Sequence, residues 1–339
     1  MTLRGTLIGC GFFAENHLNA WRELDGVEIV AVCDMDRRKA EATARKFGVA
    51  RTYADAGEML SAERPDFVDI VTTVGSHRAL VELAARHRVP AICQKPFAAT
   101  IEDGEAMVQA CREAGVPLMV HENFRWQTPL MAVRAAMDAG RIGTPFFGRI
   151  SFRHDYDIYK GQPYLAEDPR LAIMDVGIHL LDVARFYFGE VRRLACTVQR
   201  VNPRVKGEDA ATMLLEHASG ATTIVDCSFY THLDPNPFPE TLVDVDGSSG
   251  SIRLAQGYRM TVATAGSSRE ENVDAELRGW TERPWHVVQD SVLNIQRHWI
   301  ECLATGKEPA TSGADNLRTL KLVIAAYQAA ASGNTIPIT

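Results

Sequence analysis

Apolar residues recur with two different rhythms along this chain, and the change from one to the other falls near Trp126. Before it, short apolar runs without alternation end at residues 9, 34, 71, 93 and 120. Runs of that kind are strands buried on both faces. Between them lie segments with helical periodicity at residues 13–24, 37–47, 54–62, 77–88 and 101–114. Repeated strand–helix units predict a doubly wound parallel sheet, which binds ligands outside the C-terminal ends of its strands. Four loops fall at such ends: residues 9–14, 72–77, 94–96 and 121–126.

After Trp126 the strand–helix alternation stops. A helix over 129–139 ends at Gly140 and leads into a strand over 146–154. Strand signals then recur at 193–200, 210–216, 222–230, 241–245, 251–254 and 259–263, separated by turn residues such as Ser219-Gly220. A long antiparallel sheet is the simplest reading, closed by two helices over 287–304 and 313–331. The chain has 339 residues, enough for two domains. The change of rhythm places them at 1–123 and 124–339.

Composition narrows the partners. Net charge is −7, which argues against nucleic acid or an anionic membrane as the main partner. No apolar run approaches the roughly 18 residues that a membrane-spanning helix needs. The apolar run near Met1 is too short for a signal peptide. The seven cysteines are scattered, odd in number and never spaced Cys-x-x-Cys. Neither a disulfide framework nor a zinc site is suggested, no metal is expected, and a reducing cytoplasm is the expected location.

Chemistry collects at the strand ends. Gly9-Cys10-Gly11-Phe12-Phe13-Ala14 lies between a strand and a helix. The first glycine permits a tight turn, and Gly11 lets backbone approach a pyrophosphate. The small Ala14 lets helix pack on strand. Asp34 ends the next strand, where a carboxylate accepts ribose hydroxyls and repels a 2′-phosphate, favouring NAD over NADP. Arg38, with Arg37, would either pair with a 2′-phosphate or stand solvated at a helix start. Gln94-Lys95-Pro96 directly follows a buried strand, so Lys95 is expected over the strand ends, where a nicotinamide ring would lie. Farther on, Asp175 and His179 stand four apart at the entry of a helix, on one face about 6 Å apart. A carboxylate beside an imidazole prepares a general base. An N-cap aspartate beside a structural histidine is the other reading of that pair. Asp182 shares nearly the same face and would bind a substrate hydroxyl or pair with Arg185. Arg153 to Asp157 form a polar–aromatic strand end in which Asp155 and Tyr156 fit a sugar-lining loop as well as an ordinary strand end. His232, at another strand end, is a further pocket candidate.

Taken together, Gly9–Ala14, Asp34, Thr72–His77, Gln94-Lys95-Pro96 and Asp175-Val176-Gly177-Ile178-His179 resemble the glucose–fructose oxidoreductase/inositol dehydrogenase (Gfo/Idh/MocA) family. The resemblance spans the chain. It implies an N-terminal Rossmann domain for NAD(P) and a C-terminal α+β domain with a large, open, mostly antiparallel sheet. It implies a homodimer or homotetramer formed through that sheet. Matched residue by residue, Lys95, Asp175 and His179 become the reactive set. Gly9, Gly11, Phe12, Phe13, Asp34, Arg38, Thr72, Thr73, His77, Gln94 and Lys95 become cofactor residues. Arg125, Asp155, Tyr156, Asp182 and His232 become substrate residues. Gln94 departs from the family, where glutamate is common. The residues around Lys95, the stretch 121–127 and Gly161-Gln162-Pro163-Tyr164-Leu165 are most similar to members acting on an aldopentose, which implies oxidation of an anomeric hydroxyl to a lactone. An inositol or other polyol, a keto sugar, redox-neutral glycoside cleavage and a non-catalytic NAD(P) sensor are the alternatives.

Overall fold

The computed structural model describes residues 2–338. The chain divides into two compact units. The first comprises residues 1–122 and 292–320, the second residues 123–291 and 321–339. The division at 122/123 lies one residue from the expected boundary. The return of residues 292–320 to the first unit is not part of that expectation.

The first unit alternates as the rhythm predicts: β1 (Leu3–Ile8), α1 (Ala14–Glu23), β2 (Val27–Cys33), α2 (Arg37–Phe47), β3 (Arg51–Tyr53), α3 (Ala56–Glu63), β4 (Phe67–Ile70), α4 (His77–Arg86), β5 (Ala91–Gln94), α5 (Ile101–Ala114) and β6 (Leu118–His121). The strands pair in the order β3-β2-β1-β4-β5-β6, all parallel. The order reverses between β1 and β4, and such a switch point is where open α/β sheets hold ligands. β4, β5 and β6 are buried at every position, which explains why their sequences do not alternate.

The second unit carries α6 (Thr128–Asp138), β7 (Pro145–Arg153), a π-turn at Ile173–Gly177, α7 (Ile178–Phe188), β8 (Val191–Gln199), β9 (Ala210–His217), β10 (Thr222–Ser228), β11 (Leu242–Gly247), β12 (Gly250–Ala255), β13 (Arg259–Thr264) and β14 (Ser267–Asn272). α8 (His286–Thr305) and α9 (Gly313–Ser332) follow, then β15 (Ile336–Pro337). The nine strands run β14-β13-β12-β11-β7-β10-β9-β8-β15, antiparallel except for the β10–β7 pair. One face packs on α7, whose Ile178, Leu181 and Ala184 are fully buried. A Cβ on Gly148 of β7 would lie 2.3 Å from the Phe188 ring, so a bare backbone is required there. On the other face one row runs across the strands as Ala195, Leu214, Ile224, Arg149, Asp244 and Arg253.

Candidate active site

The glycine turn is built as its sequence implies. Gly9 has φ 98°, and a Cβ there would stand 2.3 Å from the Val71 carbonyl oxygen. Only glycine serves both demands. At Gly11 nothing lies within 4 Å of an added Cβ. That side of the turn is open to an approaching group. α1 starts at Ala14 with no side-chain cap, so its first N–H groups are turned to an incoming anion. Phe12 is exposed and Phe13 half-buried at the rim. Asp34 Oδ2 accepts from the Cys10 N–H at 2.8 Å, and Oδ1 accepts from the Asp36 N–H at 2.9 Å. The carboxylate that would hold a ribose is thereby fixed to the loop that would hold the pyrophosphate. The residues fit a dinucleotide. Arg38 is exposed in the first turn of α2, whose N-cap Asp36 accepts from the Arg38 N–H.

The β4 and β5 loops are stitched together by His77. Its ring is fully buried. Nδ1 lies 3.0 Å from the Pro96 carbonyl and Nε2 lies 3.1 Å from the Thr72 carbonyl. Burial pushes its pKa down, so the neutral ring carries a single N–H and donates to the carbonyls of only one of the two loops at a time. Thr72 Oγ1 in turn accepts from the Ser76 hydroxyl at 2.7 Å, and Thr73 is exposed beside it. Gln94 is buried, with its Oε1 accepting from the Lys95 N–H at 2.7 Å. Lys95 is half-buried at the end of β5.

In the second unit Asp175 lies inside the π-turn rather than at an N-cap, and His179 lies in the first turn of α7. The regular α-helical spacing expected for the pair is therefore replaced by a wider turn, a feature often found at functional sites. Glu208, buried, receives the Ile173 N–H at 3.0 Å and the Leu171 N–H at 3.3 Å. It also receives the Tyr327 hydroxyl at 2.8 Å. These bonds tie down the start of the π-turn. His179 is buried and stacks flat on Phe124, with ring centroids 3.9 Å apart and planes 2° apart. Phe124 opens a short 3-10 turn that ends at Trp126. The same turn carries Arg125, which donates Nε to Asp182 Oδ2 at 2.6 Å and Nη2 to Oδ1 at 2.5 Å. Both side chains of this pair are buried. Asp182 clamps Arg125, a partner not expected from the sequence, and also forms the expected ion pair with Arg185. Arg185 stands 3.9 Å away and pairs with Glu190 at 2.8 Å.

Asp155 and His232 meet, with Oδ2 2.6 Å from Nδ1, and Asn236 donates to the other carboxylate oxygen. Tyr156 stacks on Phe238 at 4.1 Å. Beside them lies a residue the sequence reading placed in this stretch without assigning it a role. His154 is buried to 1% exposure, and its Nδ1 accepts from the Tyr156 N–H at 3.1 Å. The proton therefore sits on Nε2, which has no hydrogen-bond partner among the described residues. Burial pushes its pKa down to about 4 against the opposing pull of Asp155 and Asp175. His154 is thus a neutral donor held close to Asp175. Its signal in the sequence was only its place before Asp155. Among the described residues no group of three or more His, Cys, Asp or Glu side chains is arranged to hold a metal ion.

Residues 3–122 match the oxidoreductase family with an NAD-binding Rossmann fold, and residues 130–253 match the GFO/IDH/MocA C-terminal domain. The chain is 54% identical to the D-apiose dehydrogenase of Rhizobium rhizogenes, over 99% of its own length and 97% of that protein's. It is 55% identical to the D-apiose dehydrogenase of Paraburkholderia graminis, over 99% and 89%. An oxidoreductase from Agrobacterium radiobacter, solved with NAD+, L-tartaric acid and magnesium, superposes with TM-score 0.98 at 54% identity, covering 100% of this chain and 99% of that one. With both units matched in order and the relatives covered almost end to end, this chain belongs to the Gfo/Idh/MocA family of oxidoreductases.

Proposed function

We propose that this protein is an NAD-dependent sugar dehydrogenase that oxidises the anomeric hydroxyl of D-apiose to its lactone. The observation that carries this reading is the 54–55% identity, over 99% of the chain, to two D-apiose dehydrogenases. The glycine turn and the anchored Asp34 support it, because they suit a dinucleotide and a ribose free of 2′-phosphate. NAD, held by the Gly9–Ala14 turn and Asp34, would supply the acceptor for the hydride of the anomeric carbon. His179, with Asp175 on the same helical entry, takes the hydroxyl proton. Lys95 hydrogen-bonds the same oxygen and stabilises its developing negative charge. Loss of that hydride and that proton turns the ring hemiacetal into a lactone. His154 Nε2–H donates to a substrate oxygen, and the Asp155–His232 pair and Tyr156 line the sugar. Arg125 and Asp182 act by holding Phe124 and His179 rather than by touching the sugar.

The protein is proposed to assemble as a homodimer or homotetramer through the outer face of its nine-stranded sheet, where Leu214 is 46% exposed. A cytoplasmic location is proposed as well, in keeping with seven free cysteines.

The test is NADH absorbance on purified protein with NAD or NADP, across D-apiose, other aldoses, inositol and keto sugars. Fast NADH formation with D-apiose is expected. Silence on D-apiose beside turnover of inositol, or NADH consumption by a keto sugar alone, would overturn the substrate assignment. Silence throughout with NAD still bound would overturn the dehydrogenase reading.

A further inference from the structure

A chain of hydrogen bonds runs inward from the Lys95 backbone. Lys95 N–H donates to Gln94 Oε1 at 2.7 Å. Gln94 Nε2 lies 3.1 Å from His17 Nε2, and His17 Nδ1 lies 2.8 Å from Asp69 Oδ2. The same Asp69 oxygen receives Trp21 Nε1–H at 2.7 Å. His17, Asp69 and Trp21 are essentially fully buried, and Gln94 is 7% exposed.

The directions in this chain are forced. A backbone N–H only donates, so the Gln94 atom facing Lys95 is the amide oxygen. The amide NH2 therefore faces His17. An NH2 group only donates, so His17 Nε2 must accept and can carry no proton. The single imidazole proton sits on Nδ1 and goes to Asp69, which accepts from two donors as a carboxylate. A second proton on His17 would set N–H against NH2 in a dry site, at the cost of an unsatisfied buried donor.

We infer that Gln94 is a positioning residue that holds His17 in its neutral Nδ1–H form and so ties the Lys95 backbone to a network of fixed protonation. The inference rests on the proposed role of Lys95 only for its effect on turnover. The groups facing His17 are few. Phe13, just before the helix, lies edge-on to the ring, Asp69 comes from β4 and is shared with Trp21, Gln94 comes from β5, and His121 from β6 lies tilted by 32° at 4.1 Å. Gln296 of α8 reaches only the His17 backbone carbonyl. Cys93, fully buried on β5, feels the Asp69 charge in addition to its own burial. The family's common glutamate at this position would reverse the logic. A carboxylate could still accept from the Lys95 N–H, yet its second oxygen would demand a proton on His17 Nε2. The neutral amide substitutes for that proton.

Histidine-labelled protein tests this by nitrogen NMR, with the His17 signals assigned by their loss in His17→Gln. The wild type should show the neutral Nδ1–H tautomer at neutral pH. In Gln94→Glu the same ring should become an imidazolium that titrates, and kcat should acquire a new pH limb. Within that variant, turnover should be about tenfold higher where the ring is protonated than where it is not. An Nε2–H tautomer or an imidazolium in the wild type would overturn the inference, even if the variant fails to fold. So would a Gln94→Glu profile with no added limb in an enzyme shown to depend on Lys95. Unimpaired turnover in Lys95→Ala would instead remove the catalytic role of Lys95 and leave the NMR result standing.

Discussion

His154 illustrates how one side chain can be tuned without any charged partner in contact. Its pKa falls to about 4 because its ring is buried among Phe152, Phe229 and Phe238. In the unfolded chain the ring returns to a value near 6.5. Between those values the unfolded state binds the extra proton, so stability rises with pH from about 4 to 6.5 and the full contribution is present above that window. The shift is worth about 3 kcal/mol, and His77 and His217 act in the same direction because burial lowers both. Urea unfolding across that range should show the loss on acidification, and His154→Phe should flatten part of it. An equal slope in the variant would remove His154 from the account. Lys95 makes a different prediction. Lys95→Ala should cut kcat by about 10²–10⁴-fold while NAD affinity, read by fluorescence titration, stays close to wild type. Near-normal kcat would end its assignment as a group acting on the substrate oxygen. The position of Lys95 directly after β5 was legible because it follows a buried strand and precedes proline. His17 was not, because in the sequence it is only one polar residue on the helix after the glycine turn. Its partners Asp69 and Gln94 lie 52 and 77 residues away.

At the scale of elements, the Phe124–Trp126 turn and α7 are joined by one buried ion pair. Arg125 and Asp182 exchange two hydrogen bonds out of solvent, and Phe186 lies 5.4 Å from the guanidinium. Removing one partner strands the other charge. Asp182→Ala should therefore cost about 3–5 kcal/mol in denaturant unfolding. Arg125→Ala should cost a similar amount, and the double variant should cost much less than the sum. Full additivity would show that the two side chains do not act as a unit. The same variants should lower kcat, because the clamp orients the ring on which His179 stacks. The four-residue spacing of Asp175 and His179 was readable, but the π-turn was not. Its anchor is Glu208, which is distant in sequence and bonds to backbone rather than to a recognisable motif. Two of the strands missed by periodicity have a common cause as well. β3 is three residues long, and β14 is Ser-Ser-Arg-Glu-Glu-Asn with almost every position exposed. Edge strands with polar, charged sequences resist unwanted pairing and leave no alternation to detect.

For the molecule as a whole, the outer row of the large sheet mixes two characters. Ala195, Leu214 and Ile224 form an apolar end, and Arg149, Asp244 and Arg253 form a charged end joined by the Arg253–Asp244 pair at 2.8 Å. Leu214→Asp places a charge in the apolar end without touching the buried face. It should shift the protein to a smaller species in sedimentation velocity and leave the fold intact by circular dichroism. An unchanged sedimentation coefficient would exclude this face from the assembly. The strand pattern that announced this sheet was readable over most of its length because one face is buried and the other is not. Whether a partner covers the second face is a matter of surface chemistry that periodicity does not encode.

The return of residues 292–320 to the first unit has a consequence for how the protein is made. Val120 of β6 donates its N–H to the Thr311 carbonyl at 2.8 Å and accepts the Thr311 hydroxyl. Leu320 shares a fully buried cluster with Met107 and Val120. A ribosome reaches those partners only after nearly all of the second unit has emerged. The nucleotide half is thus begun first and finished almost last, and its edge must wait, incomplete, while the rest is translated. A fragment ending at residue 123 should accordingly show weak protection from proteases and poor NAD binding. Co-expressing the missing helices, or fusing residues 292–320 to its end, should restore both. Full stability in the bare fragment would show that the late segment is dispensable.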